Sequence, residues 1–254
     1  MRSLMLEGFG DAIRFHDIPG TGRPLVFLHG LGCSSSSDYP RVVCDGALGR
    51  RRFLLVDLPG HGFSARPAGF GYSVESHAAI VVELLEQLGV AEYDLYGHSM
   101  GGSIAIEAAS LRPARVAHLV VAEPNLDAGG GIYSRRIADY SEEGYAAHGH
   151  AEIIREETEA GNHNWAGTMA CAGAVAVHRS AVSLVRGGAV SWRARLLALP
   201  MPRTLLIGEL SLPNPDTGRL PAAGVKVAIV PATGHSLMWD NPSGLAAAID
   251  EALR

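Results

Sequence analysis

The sequence predicts an α/β domain built on a parallel sheet and interrupted late by a helical insertion. Three observations carry this expectation. Short apolar runs bounded by glycine or charge alternate with stretches of helical spacing. Of the 254 residues, 47% are hydrophobic, enough for a sizeable buried core. From Pro124 to about Pro200 the strand rhythm stops, and it then resumes.

The N-terminal stretch MRSLMLEGFGDAIRFHDIPG alternates apolar and polar residues around a Gly-Asp turn, which describes a hairpin better than a leader peptide. PLVFL (Pro24 to Leu28) and RFLLV (Arg52 to Val56) read as strands buried on both faces. Val74 to Leu88 has helical spacing, with Ser73 placed to cap it. A strand ending at Tyr93 to Tyr96 follows, then a helix from Ser103 to about Arg112, then a strand at Ala117 to Ala122. After the interruption come strands at Arg203 to Ile207 and Val225 to Val230, and a last helix from about Pro242 to Leu253. Residues 1–123 and 201–254 are thus expected to form the core and 124–200 a helical cap, with Ala151 to Ala160 and Val175 to Val185 as its clearest helices. The serine run Ser34 to Ser37 reads as a flexible loop.

Composition narrows the function classes. A net charge of −5 without any basic block argues against nucleic acid as a partner. Cys33, Cys44 and Cys171 are odd in number and widely spaced, which suits neither a disulfide framework nor a zinc site and points to a reducing compartment. With no long apolar span, a cytoplasmic protein with no membrane partner is expected. The oligomeric state is left open, a homodimer being one option.

The chemistry-bearing stretch is LYGHSMGGSIAIEAAS, from Leu95 to Ser110. Gly97 and Gly101 permit a very tight turn between strand and helix, where a side chain would clash, and Ser99 sits on that turn in a strained conformation with its hydroxyl held out. Alone, a G-x-S-x-G match is weak.

Its context is not. HGLG at 29–32, DLPGHGFS at 57–64, GHSMGG at 97–102 and GHS at 234–236 follow in an order and spacing that resemble the α/β-hydrolase superfamily over nearly the whole chain. The resemblance implies a mostly parallel eight-stranded sheet with helices on both faces and a pocket at the C-terminal rim under the cap. It also implies Ser99 as nucleophile and His235 as its base, because serine needs a base within hydrogen-bond reach. The oxyanion would be met by the backbone N–H groups of Leu31 and Met100, with Gly30 and Gly32 giving that backbone room and the two side chains lining the pocket. His98 adjoins the nucleophile in sequence, but an elbow turns its side chain away from Ser99. His29, His61 and His118 read as structural, the first two shaping loops.

The third member departs from the common pattern. Where the superfamily usually has an aspartate after the next-to-last strand, this chain reads GELS, with Ser211 in its place. Glu123, ending the strand after the elbow helix, is the chosen substitute, as in members resembling the lactonases of the zearalenone-hydrolysing type. Asp216, Asp127 and Glu209 are the alternatives.

Other constellations are weaker. His148, His150 and His163 lack helical metal-ligand spacing and read as cap surface. Gly129 to Gly131 read as a hinge, and Arg135 and Arg136 as a charged helix face rather than a carboxylate receiver. Trp165, Met169, Trp192 and Met238, with Gly30 and His98, are candidates for the pocket wall. The expectation is therefore a serine hydrolase needing no cofactor or metal, acting on a small apolar ester or lactone. Thioester, amide or carbon–carbon hydrolysis, perhydrolysis, and a ligand receptor without turnover are the alternatives.

Overall fold

The computed structural model describes residues 1–254. Eight strands form one sheet in the order β1-β2-β4-β3-β5-β6-β7-β8. The hairpin of β1 (Arg2–Leu6) and β2 (Asp11–Ile18) is antiparallel and adds antiparallel to β4 (Arg51–Asp57). All other pairings, among β3 (Thr21–Leu28), β4, β5 (Tyr93–His98), β6 (Val116–Ala122), β7 (Arg203–Gly208) and β8 (Lys226–Val230), are parallel.

The apolar runs are continuous because both faces of the sheet are covered. Val26, Leu28, Leu95, Leu119 and Val121 point into a core shared with helices Val74–Gln87 and Met100–Leu111. Their alternating neighbours Leu25, Phe27, Tyr96, Val120 and Ala122 point to the opposite face, against Tyr39, Val42 and the last helix, Pro242–Ala252. Ser73 caps its helix by accepting the Ser76 N–H at 3.1 Å.

Between β6 and β7 the chain forms helices only: Ile132–Ala138, a run from Glu142 through Glu159, His163–Ala170, Ala174–Arg186 and Trp192–Ala198. Two expectations need correction here. The elbow helix begins at Met100, not Ser103, because its first turn starts directly at the serine. The serine run is no flexible loop: Ser35–Asp38 is a helical turn, and Ser34 and Ser35 are buried. Ser36 donates its N–H and hydroxyl to Asp57 at 2.9 and 2.8 Å, and the Ser35 hydroxyl donates to the Phe27 carbonyl at 3.1 Å. Short polar side chains read as loop in sequence can equally well satisfy a buried backbone.

Candidate active site

Parallel strands deliver their following loops to one rim, where open α/β sheets hold their ligands. Here β3 leads to His29 and Gly30, β5 to Ser99, β6 to Glu123, β7 to Glu209, and β8 to the loop carrying His235. A cavity of about 780 Å³ opens there, and Gly30, Leu31, His98, Ser99, Glu123 and His235 all line it.

Two of these residues are strained. Ser99 has φ +52° and Glu123 φ +43°, left-handed values that a side chain disfavours and that surrounding structure must impose. For Ser99 the constraint is visible: a Cβ on Gly97 would lie 2.2 Å from the Gly101 carbonyl oxygen, and one on Gly101 would lie 2.4 Å from the carbonyl oxygens of Leu28 and His29. Only glycine lets the elbow helix cross the sheet that closely.

His235 Nδ1–H donates to Glu123 Oε2 at 2.6 Å. Glu123 Oε1 accepts the Gly208 N–H at 3.0 Å, and the Ser211 hydroxyl lies near enough to favour the charged carboxylate. Burial works against the charge, but these hydrogen bonds outweigh it and hold the Glu123 pKa down at about 2, against an ordinary 4.5. The alternatives for this contact are engaged elsewhere. Asp216 and Asp127 both pair with Arg193 at 2.7 Å, and Glu209 accepts the Ala232 N–H at 2.8 Å.

No hydrogen bond joins the Ser99 hydroxyl to the imidazole; without substrate such contacts are commonly long and tighten only around it. The backbone N–H groups of Leu31 and Met100 likewise donate to no protein acceptor. Leu31 is oriented from the insertion, since Trp165 Nε1–H donates to its carbonyl at 2.8 Å. His98 is buried with its ring turned to the His235 loop, donating Nε2–H to the His235 carbonyl at 2.8 Å. Burial first, then the neighbouring His235, pulls its pKa down to about 3, so the ring is neutral. His29 is equally a brace: its Nδ1–H donates to Gly30 O at 2.8 Å and its Nε2 accepts the Leu58 N–H at 3.0 Å.

The pocket expectations divide. Gly30, His98, Trp165 and Met238 line the cavity. Met169 and Trp192 do not, because both are fully buried in the core. On helix His163–Ala170, Trp165 and Met169 lie one turn apart and both reach Gly32, where a Cβ would meet Met169 Sδ at 2.0 Å and Trp165 Nε1 at 3.3 Å, yet only Trp165, with Thr168, also lines the cavity, Met169 being fully covered. Trp192 starts a helix that packs on the elbow helix. The Met100 side chain is buried in the core as well and is not part of the cavity wall.

The three histidines of the insertion have separate fates. His148 is exposed, His150 bonds the Tyr145 hydroxyl and the Met169 carbonyl, and His163 lines the cavity. The sequence offered no signal for Asp38, Trp239 or Tyr133, which also form the wall. Ser211 was conspicuous as the residue standing where an acid is usual, but its nearness to Glu123 needed the structure.

Residues 23–146 match the family model described as alpha/beta hydrolase fold. Among curated relatives, the dihydrolipoyllysine-residue acetyltransferase component of the acetoin cleaving system of Pseudomonas putida is 36% identical over 43% of this chain and 29% of that protein. The 2-hydroxy-6-oxo-2,4-heptadienoate hydrolase of Pseudomonas putida is 35% identical over 46% of this chain and 42% of its own length. The matches thus span less than half the length of these relatives. Two solved structures superpose over almost the whole chain. A thermophilic esterase from Thermogutta terrifontis has TM-score 0.76 at 21% identity, covering 98% of this chain and 96% of that one. The enol-lactonase from Burkholderia xenovorans has TM-score 0.78 at 19% identity, covering 99% of both.

Proposed function

We propose that this chain, an α/β-hydrolase superfamily member, is a serine hydrolase that cleaves carboxylic esters or lactones through an acyl-enzyme. The observation that carries the reading is the 2.6 Å contact between His235 and a carboxylate held ionised, in the same cavity as a serine on a strained turn. Ester and lactone are the assigned substrate classes because the superposed structures include an esterase and an enol-lactonase.

Ser99 Oγ attacks the carbonyl carbon while His235 Nε2 takes its proton. Glu123 keeps the proton on Nδ1, so that Nε2 is free to accept, and stabilises the imidazolium formed. The carbonyl oxygen gains negative charge and meets the N–H groups of Leu31 and Met100, preorganised by having no other acceptor. The tetrahedral intermediate collapses, the leaving oxygen taking the proton from His235. Water then attacks the acyl-enzyme with His235 again as base, releasing the acid and restoring Ser99. No step calls for a cofactor. The helices from Ile132 to Ala198 act as a cap, reaching the oxyanion loop through Trp165.

The test is intact mass after incubation with a fluorophosphonate. A single adduct mapping to Ser99, absent in folded Ser99→Ala, is expected. An unlabelled, folded wild type would overturn the assignment.

A further inference from the structure

The cavity wall carries no lysine or arginine. The arginines of the adjoining helix are committed elsewhere: Arg135 donates to the carbonyls of Gly129 and Gly130, and Arg136 pairs with Glu156. Three carboxyls do line it. Glu123 is compensated by His235, and Asp240 accepts the Gly234 N–H at 2.9 Å. Asp38 is different. It is 2% exposed and makes no ion pair; its Oδ1 accepts a 3.3 Å hydrogen bond from Trp239 Nε1, the neutral Cys33 thiol lies beside it, and its Oδ2 is buried without a hydrogen-bond partner.

Resting on the hydrolase reading, we propose that this cavity sorts esters and lactones by charge, admitting uncharged or cationic ones and rejecting those that bear a free carboxylate. Asp38 is the specificity-determining residue. A carboxylate entering the cavity finds no cation to receive it and faces a carboxyl without a compensating partner, in surroundings where water screens little.

The groups facing Asp38 fix the sign. Cys33, from the loop after β3, is a thiol whose own ionisation is pushed up by burial and by Asp38. Asp57, ending β4, adds negative charge, while Tyr39 and Tyr96 are buried phenols. Trp239 follows from the His235 loop. His98, His163 and His235, with Glu123 and Asp240, share the cavity. Burial, with Asp57 adding to it, pushes the Asp38 pKa up to about 7 against the pull of Trp239 and Cys33. Below that value Asp38 is neutral and an anionic ligand meets no charge there. Above it, the ligand must either meet the carboxylate or force it to take a proton, which costs about tenfold in affinity per pH unit.

The experiment measures binding by calorimetry in Ser99→Ala, using the monobenzyl ester of adipic acid and its terminal primary amide, a pair of nearly equal shape. The affinity ratio, amide over acid, is expected to rise about tenfold between about pH 6 and about pH 8. In Asp38→Asn, Ser99→Ala the ratio should stay within about twofold. A flat ratio in the Ser99→Ala protein overturns the proposal. So does an equal rise in the double variant, which would assign the effect to the cavity imidazoles. Should Asp38→Asn fail to fold, His163→Gln and His235→Gln, each in the Ser99→Ala protein, decide instead: the roughly tenfold rise persists in both if Asp38 carries it, and its loss in either overturns the proposal. Because binding is read without turnover, failure of the hydrolase reading appears separately, as wild type that cleaves neither compound.

Discussion

Exchange of Glu123 for Gln probes the proposed triad with almost no change of shape, and the hydrogen bonds around the carboxylate determine the size of the effect. The new amide can point its NH2 at His235, leaving its carbonyl to accept the Gly208 N–H now bonded at 3.0 Å. Nδ1 must then accept, the proton moves to Nε2, and the ring cannot take the proton of Ser99, a defect on the order of 10⁴-fold in kcat. Turned the other way, the carbonyl holds the correct tautomer, but the NH2 faces the Gly208 N–H. Donor against donor in a mostly buried place costs about 1–3 kcal/mol, which limits the competent orientation to between roughly a fifth and a hundredth of the molecules. Losing the negative charge that balances the imidazolium lowers turnover further. A loss of about 10²- to 10⁴-fold in kcat is therefore expected, with KM little changed. The assay is initial-rate hydrolysis of a para-nitrophenyl ester, normalised to fluorophosphonate-titrated sites, with urea unfolding to show that the variant is folded. A loss under about tenfold in folded protein would refute the role given to Glu123.

Two further substitutions test parts that sit away from the triad. Trp165→Phe removes the indole N–H that holds the Leu31 carbonyl and should lower kcat by about tenfold while KM moves little, because the proposed oxyanion donor loses its orientation; an unchanged kcat would separate this helix from catalysis. His61 is buried beside His29 and His77, and burial first, then His29, holds its pKa at about 3, so acid favours the unfolded state. A folded pKa below the unfolded one means that the contribution is whole above about pH 6.5 and is lost as pH falls toward about 3. His61→Asn, which keeps a donor for the Pro59 carbonyl, should reduce the drop in unfolding free energy from about pH 7 to about pH 5 by on the order of 2 kcal/mol, read from urea midpoints; an identical drop would refute it.

What could be read from sequence, and what could not, follows from how local each cause is. The core strands were legible because burial on two faces leaves an unbroken apolar run, and the elbow because close crossing forces glycine at 97 and 101. The helices at Ile132–Ala138 and Trp192–Ala198 went unread, being only 7 residues each and stabilised by what they pack on. The wall was read worst. On one short helix Trp165 and Met169 share a face toward Gly32, yet only Trp165 reaches the cavity, and spacing cannot say where along that face the core ends and the cavity begins. Asp38 carried no signal at all, since its one side-chain hydrogen bond comes from Trp239, 201 positions along the chain.

The placement of the carboxylate has a geometric reason that joins these levels. The sheet order puts β7 between β6 and β8, so an acid on β6 must reach across one strand more than an acid on β7 to meet the loop after β8. Three features make that reach possible. The residue is glutamate, with one more methylene than aspartate. Its left-handed φ of +43° turns the chain sharply as the strand ends. The strand crossed ends in Gly208, where a Cβ would lie 2.4 Å from the Gly234 carbonyl oxygen, so the histidine loop can settle directly against β7. The same Gly208 offers its N–H to Glu123, and Ser211, in the position an acid usually takes, sets a neutral hydroxyl beside it. A second carboxylate at 211 would repel Glu123 where a serine supports it. A serine at 211 and a glutamate at 123 are therefore compatible in charge, as two carboxylates there would not be.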